Sequence, residues 1–129
     1  MATKYKLVYF VPLSALDAVK KAVFATGAGR YPGPGNYTEV AWQTLGTGQF
    51  RPGDTAKPNI GEVGKLEKVE EARVETLCVG EDITKKAVAA LKEYVSVPLP
   101  LKTMSADASY VRTHPYEEPG YEVYKIEDF

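Results

Sequence analysis

The chain is poor in the residues from which many protein sites are built. Its 129 residues include one cysteine (Cys78), one histidine (His114), one tryptophan (Trp42) and two methionines. A lone cysteine forms no intrachain disulfide, and a cysteine-rich zinc site is excluded within one chain. An excess of charge is missing too: 16 Lys and Arg stand against 17 Asp and Glu, for a formal net charge of −1. That balance gives no basic footprint for a nucleic acid. Nine tyrosines offer stacking surfaces, but no RNP signature accompanies them, so no nucleic-acid partner is expected and they read as core and interface residues. No apolar run approaches the roughly 20 residues of a membrane span, so no membrane partner is expected either. The first run, Leu7-Val8-Tyr9-Phe10-Val11, is short and has no small-residue cleavage site. It reads as a strand rather than a leader, and the expected compartment is the reducing cytoplasm.

What is present is an ordinary globular composition, 44% hydrophobic and 26% charged. A single domain over residues 1–129 is expected, able to bury about two-thirds of its unfolded surface without staples. Residues 5–11 are β-branched and aromatic and end at Pro12, as a buried strand does. Ser14-Ala15-Leu16-Asp17 supplies a cap-like start for a helix, with Leu16, Val19, Ala22 and Val23 on one face and Gly27 as its exit. Residues 38–45 alternate as a second strand, and Gly46 to about Gly64 reads as a loop. A third strand lies within residues 69–79, with Val74, Thr76 and Cys78 on one face. Asp82 is the expected N-cap of a second helix whose stripe is Ile83, Ala87, Ala90, Leu91 and Tyr94. Residues 95–113 are an irregular, Pro-interrupted excursion, and residues 121–126 form the last strand.

The order strand–helix–strand–strand–helix–strand is the split βαβ of an α+β, ferredoxin-like (βαββαβ) sandwich. Two helices cover only one face of four strands, so Trp42, Val40 and other apolar strand residues need a partner on the other, which predicts self-association.

Four features bear on chemistry. Gly27, Gly29, Gly33 and Gly35 follow a helix with spacing G-x-G-x-x-x-G, whereas a dinucleotide fingerprint needs G-x-G-x-x-G opening one; a capping turn fits better. His114-Pro115-Tyr116-Glu117-Glu118-Pro119 sets one imidazole beside two carboxylates, a set suited to a transition metal or to acid–base work near neutral pH, or to a surface role. Arg51, Glu62 and Lys65 share a loop, and Arg73 and Glu75, two apart on a strand, share a face, where they would hold an anionic ligand or form an ion pair. Cys78, among apolar neighbours, reads as a small buried hydrophobe rather than a reactive thiol.

Gly27-Ala28-Gly29, Gly46-Thr47-Gly48-Gln49-Phe50-Arg51-Pro52, Pro58-Asn59-Ile60-Gly61, Val69 to Glu75 and His114 to Tyr124 together resemble the domain inserted in YqfO-type (Nif-three-like) proteins, known as type 2 GTP cyclohydrolase I. That domain is similar to the signalling protein PII and the copper-tolerance protein CutA. The resemblance implies a PII/CutA-like homotrimer whose sheets pack their uncovered faces inward, with ligand clefts between subunits. Full-length relatives carry a dinuclear-metal core of His and carboxylate ligands on both sides of the insert. One histidine cannot supply that core, so the family's enzyme chemistry is not implied.

The leading reading is therefore a non-enzymatic binding or regulatory trimer. Its expected ligand residues are Arg51, Glu62, Arg73, Glu75, His114, Tyr116, Glu117 and Glu118, and a divalent metal ion would use His114 and Glu118, completed by neighbouring chains. Two other readings stand beside it: a hydrolase of nucleotide-like substrates with His114 as base, and a ligand-free interaction scaffold. No nucleophile–base–orienter set is visible for the hydrolase.

Overall fold

The computed structural model describes residues 2–54, 62–92, 97–98, 110–111 and 120–129. Strand β1 (Lys4–Pro12) runs through a 3₁₀ turn (Leu13–Ala15) into helix α1 (Leu16–Phe24), followed by β2 (Ala41–Phe50), β3 (Glu67–Val79) and helix α2 (Glu81–Lys92). Two short strands, β4 (Val97–Pro98) and β5 (Tyr110–Val111), pair with each other, and β6 (Tyr121–Ile126) completes the main sheet. That sheet is antiparallel in the order β2-β3-β1-β6, so the split βαβ order read from the sequence is the fold.

The period-2 pattern explains which face the helices cover. Leu7, Tyr9 and Val11 of β1 and Ala72, Val74 and Cys78 of β3 are fully buried, packed with Val19 and Val23 of α1 and Ala87 and Leu91 of α2. The register sets Tyr5 beside Cys78, Leu7 beside Thr76 and Tyr9 beside Val74, one continuous apolar surface. Removing each such aliphatic side chain from water stabilises the fold by about 1.5–3 kcal/mol. Thr76 sits in this layer by donating its hydroxyl to the Val40 carbonyl at 2.8 Å, which removes the cost of burying it.

Two glycines fix how α1 returns to the sheet. Gly27 has φ +102 and Gly29 φ +81, the left-handed region. A Cβ on Gly29 would meet the Phe24 ring at 2.7 Å and the Val40 nitrogen at 3.1 Å. This tight approach lets the Gly29 N–H donate to the Leu77 carbonyl at 2.7 Å while the Gly29 carbonyl accepts from the Val40 N–H at 2.8 Å. The glycine stretch is thus a helix exit stitched to the sheet edge.

Three local expectations are corrected. Ser14 does not cap α1: the 3₁₀ turn starts directly after Pro12, Ser14 lies inside it, and Ala15 is the N-cap with no side-chain cap bond. Asp82 does not cap α2, which begins one residue earlier at Glu81 after Gly80 (φ +93); the Thr84 hydroxyl donates to the Gly80 carbonyl at 2.8 Å. The second strand spans Ala41–Phe50 rather than 38–45, and its partner starts at Glu67. The stretch Gly46 to Phe50, expected to be loop, is paired one-to-one with Glu71 back to Glu67.

β1 pairs with β3 only from Glu71 to Val79, whereas β2 follows it down to Glu67. Residues 47–50 of β2 and 67–70 of β3 therefore project beyond β1 as a two-stranded arm.

Candidate functional site

The face of the sheet that neither described helix covers gathers the charged and aromatic residues that alternate with the core. Along β3 these are Arg73, Glu75 and Leu77; in register beside them are Phe10, Val8 and Lys6 of β1 and Thr44 and Trp42 of β2. Tyr124 and Glu122 of β6 pair with Lys6 and Val8. Glu75 is the hub. Lys6 Nζ donates to its Oε1 at 3.2 Å and Arg73 Nε to its Oε2 at 3.1 Å. The Arg73 guanidinium also lies 5.7 Å from the Phe10 ring centroid, a cation–π distance.

The electrostatics follow from this geometry. The hydrogen bond from Lys6, with the further one from Arg73, holds the Glu75 carboxyl below the usual carboxylate range. The Tyr124 hydroxyl donates to Glu122 Oε1 at 2.9 Å, a bond only the neutral phenol can make, and its pKa is raised accordingly. Val8 is completely buried on this face, although Glu75 and Glu122 flank it. Trp42 (59% exposed) and Tyr124 (48%) stand out from it.

Of the residues singled out from the sequence, the structure brings Arg73 and Glu75 together as an ion pair and adds Lys6. Arg51 and Glu62 lie elsewhere, past the end of the β2–β3 arm. Phe50 pairs with Glu67, and the strand from Glu67 to Glu75 covers about 27 Å. There the Gly64 N–H donates to the Pro52 carbonyl at 2.8 Å, drawing the two sides together, and Glu62 pairs with Lys65 at 2.9 Å. His114, Tyr116, Glu117 and Glu118 lie outside the described residues, as do Pro58 to Gly61. Among the described residues no group of three His, Cys, Asp or Glu side chains is placed to hold a metal ion. None of their helices is long and apolar enough to cross a membrane. Cys78 is buried, and that burial pushes its thiol up, as expected of a packing residue.

Lys6 escaped the sequence reading because its link to Glu75 depends on strand register, 69 residues away in the chain. A second grouping was equally hidden: an open cleft beside the C-terminal end of α1, lined by Lys21, Phe24, Arg30 and Glu39 among others.

With this geometry in hand, likeness to known proteins becomes informative. No family model matches the chain. A "GTP cyclohydrolase 1 type 2 homolog" from Halalkalibacterium halodurans is 38% identical over 122 residues, which is 95% of this chain and 27% of that protein. The crystal structure of a Bacillus cereus protein related to NIF3 superposes with a TM-score of 0.65 at 30% identity, covering 98% of this chain and 26% of that one. The Bacillus subtilis GlnK–ATP complex matches more loosely, with a TM-score of 0.46 at 10% identity over 97% of this chain and 84% of that one. The chain thus spans about a quarter of the length of its Nif3-like relatives. The resemblance drawn from the sequence motifs is borne out: this chain is homologous to one segment of the Nif3-like, type 2 GTP cyclohydrolase 1 proteins, and its α+β sandwich is the ferredoxin-like one that the resemblance implied.

Proposed function

We propose that the chain is a PII/CutA-like binding or regulatory protein, not an enzyme, that works as a homotrimer in the cytoplasm. It forms one domain over residues 1–129 and takes a small ligand or a divalent metal ion at clefts between subunits. The observation that carries this reading is the sheet face left open among the described residues, with Trp42 and Tyr124 exposed beside the half-buried Phe10 and Leu77. Aromatic side chains on an uncovered sheet face are typical of a surface that meets another protein.

The edge of the sheet supports the same reading. β2 is a ten-residue edge strand, Ala-Trp-Gln-Thr-Leu-Gly-Thr-Gly-Gln-Phe, with no charged residue and no proline. Its pairing with β3 is continuous, without a bulge. Edge strands of monomers are ordinarily blunted by charge, proline or bulges. An edge lacking all three fits a surface covered in an assembly.

In such an assembly the Lys6–Glu75–Arg73 network, two cations on one carboxylate, orients the packing of the faces. The β2–β3 arm carries Arg51 and Glu62 away from the sheet, where they would line a cleft with His114, Tyr116, Glu117 and Glu118 of the same or a neighbouring chain. His114 and Glu118 would be the metal ligands, with neighbouring chains completing the set.

Sedimentation velocity over a range of concentrations tests the assembly. A species of three chain masses is expected, and Trp42→Glu should convert it to single chains with unchanged far-UV circular dichroism. A wild-type monomer at micromolar concentration overturns the trimer. Native mass spectrometry tests the ligand: a reproducible extra mass on the trimer, lost in His114→Ala and Glu118→Ala, is expected. An extra mass that survives both substitutions removes those residues from the site.

A further inference from the structure

The cleft at the C-terminal end of α1 has the composition of a binding site that none of the motifs pointed to. Its walls are Lys21 and Phe24 of the helix, Ala25 at its C-cap, Ala28 and Arg30 beyond it, and Thr38 and Glu39 ahead of β2; its volume is about 310 Å³. That volume lies at the small end of ligand pockets, about 300–1,000 Å³. The cleft lies on the helix side of the sheet, away from the face that carries Trp42 and Tyr124.

Two observations point to a ligand. The first is charge. Lys21, Arg30 and Glu39 all line this one cleft, yet among the described residues none of the three enters an ion pair. The walls therefore offer two cations and one carboxylate uncommitted to each other. The second is backbone conformation. Glu39 has φ +54, in the left-handed region that glycine and asparagine occupy more easily. The following residue is tied down on both sides: the Val40 N–H donates to the Gly29 carbonyl at 2.8 Å, and the Val40 carbonyl accepts the Thr76 hydroxyl at 2.8 Å. The turn before β2 is thus imposed by the fold, and a glycine there would release the strain. The sequence instead places a carboxylate at the mouth of the cleft.

From this arrangement we infer that the cleft binds an acidic α-amino acid: two carboxylates face Arg30 and Lys21, the ammonium faces Glu39, and the methylene carbons lie on Phe24, Ala25 and Ala28. The three side chains sum to +1, and a ligand with two carboxylates and one ammonium carries −1. The planar Arg30 guanidinium suits bidentate capture of one carboxylate, and Lys21 acts as a point charge for the other. Simple dicarboxylates and phosphate esters lack the cation that Glu39 requires and meet its repulsion instead. The site lies within one chain and does not rest on the trimer.

Calorimetric titration of the full chain with L-glutamate tests this. Saturable binding is expected at one site per chain, whatever the assembly mass, with glutarate binding at least about tenfold more weakly. Glu39→Gln and Arg30→Gln should each weaken L-glutamate by about tenfold or more. Glu39→Gly separates function from folding: it should melt at or above the wild-type temperature while losing the ligand. Absence of saturation at millimolar L-glutamate, equal affinity for glutarate, or undiminished binding in Glu39→Gly each overturns the proposal.

Discussion

The two faces of β3 show how one strand serves two tasks. Ala72, Val74, Thr76 and Cys78 point beneath the helices and are buried, while Arg73, Glu75 and Leu77 alternate with them on the face that neither described helix covers. The first face is filled by close packing, whose value does not depend on concentration or salt. The second is held by ion pairs to a carboxylate that is itself partly exposed, interactions of small net worth that salt weakens. The inner face therefore makes the fold, and the outer face contributes little to it.

Substitution on each face sharpens that contrast, and the largest effect belongs to the core. Leu7→Ala removes a fully buried side chain, and should cost about 2–5 kcal/mol in denaturant unfolding at every protein concentration. Trp42→Ala removes a side chain that is 59% exposed. Its effect should appear in the concentration dependence of melting, which an assembled protein shows and its dissociated variant loses. A Trp42→Ala cost that matches Leu7→Ala and ignores concentration would break the contrast between the faces.

A smaller effect tests an imperfection in the core. The Tyr9 hydroxyl is buried with no hydrogen-bond partner among the described residues. Burial pushes its pKa up, because the ionised phenolate would be poorly solvated there, and nearby Cys78 adds to the shift. The fold thus favours the neutral phenol. That contribution is complete below the ordinary tyrosine value of about 10 and is lost as pH rises beyond it. Tyr9→Phe removes both the orphan hydroxyl and the titration. Near neutral pH it should be as stable as wild type or about 1 kcal/mol more stable. Above pH about 10 the gap should widen in its favour. Parallel pH–stability curves for the two proteins would mean that the Tyr9 hydroxyl ionises as readily in the folded protein as in the unfolded chain.

The same contrast explains what could be read from the sequence. The core face was legible because strand and helix periods announce it: Leu7, Tyr9, Val11 and Val74 to Cys78 alternate, and Val19, Val23, Ala87 and Leu91 recur at helical spacing. The far half of β2 was not, because Gly46 and Gly48 signal a loop. Pairing with β3 overrides that signal, and the Glu71 carboxylate occupies the space that a side chain on Gly48 would need. The helix starts misled because Ser14 and Asp82 have cap chemistry, but chain direction after Pro12 and Gly80 set the actual boundaries. In the candidate sites, Arg73 and Glu75 were legible as a pair two residues apart. Lys6 was not, since only register places it at Glu75. Lys21, Arg30 and Glu39 were more hidden still: they converge from a helix, its exit turn and the approach to β2, and no spacing rule links them.

The smallest expected effect is on the outer face, and it discriminates by its pH and salt dependence. Lys6 and Arg73 hold the Glu75 carboxyl below its ordinary range. Its contribution to stability is therefore complete above the ordinary glutamate value of about 4.3 and is lost as pH falls through the lowered folded value. Glu75→Gln should flatten that acid limb relative to wild type while leaving the alkaline limb of Tyr9 untouched, because the two groups lie on opposite faces of the sheet. Added salt should shrink the difference between wild type and Glu75→Gln if the network faces water. If instead the difference persists in high salt and grows with protein concentration, the network is sealed within an interface. The same experiment therefore also reports whether the outer face is covered in solution.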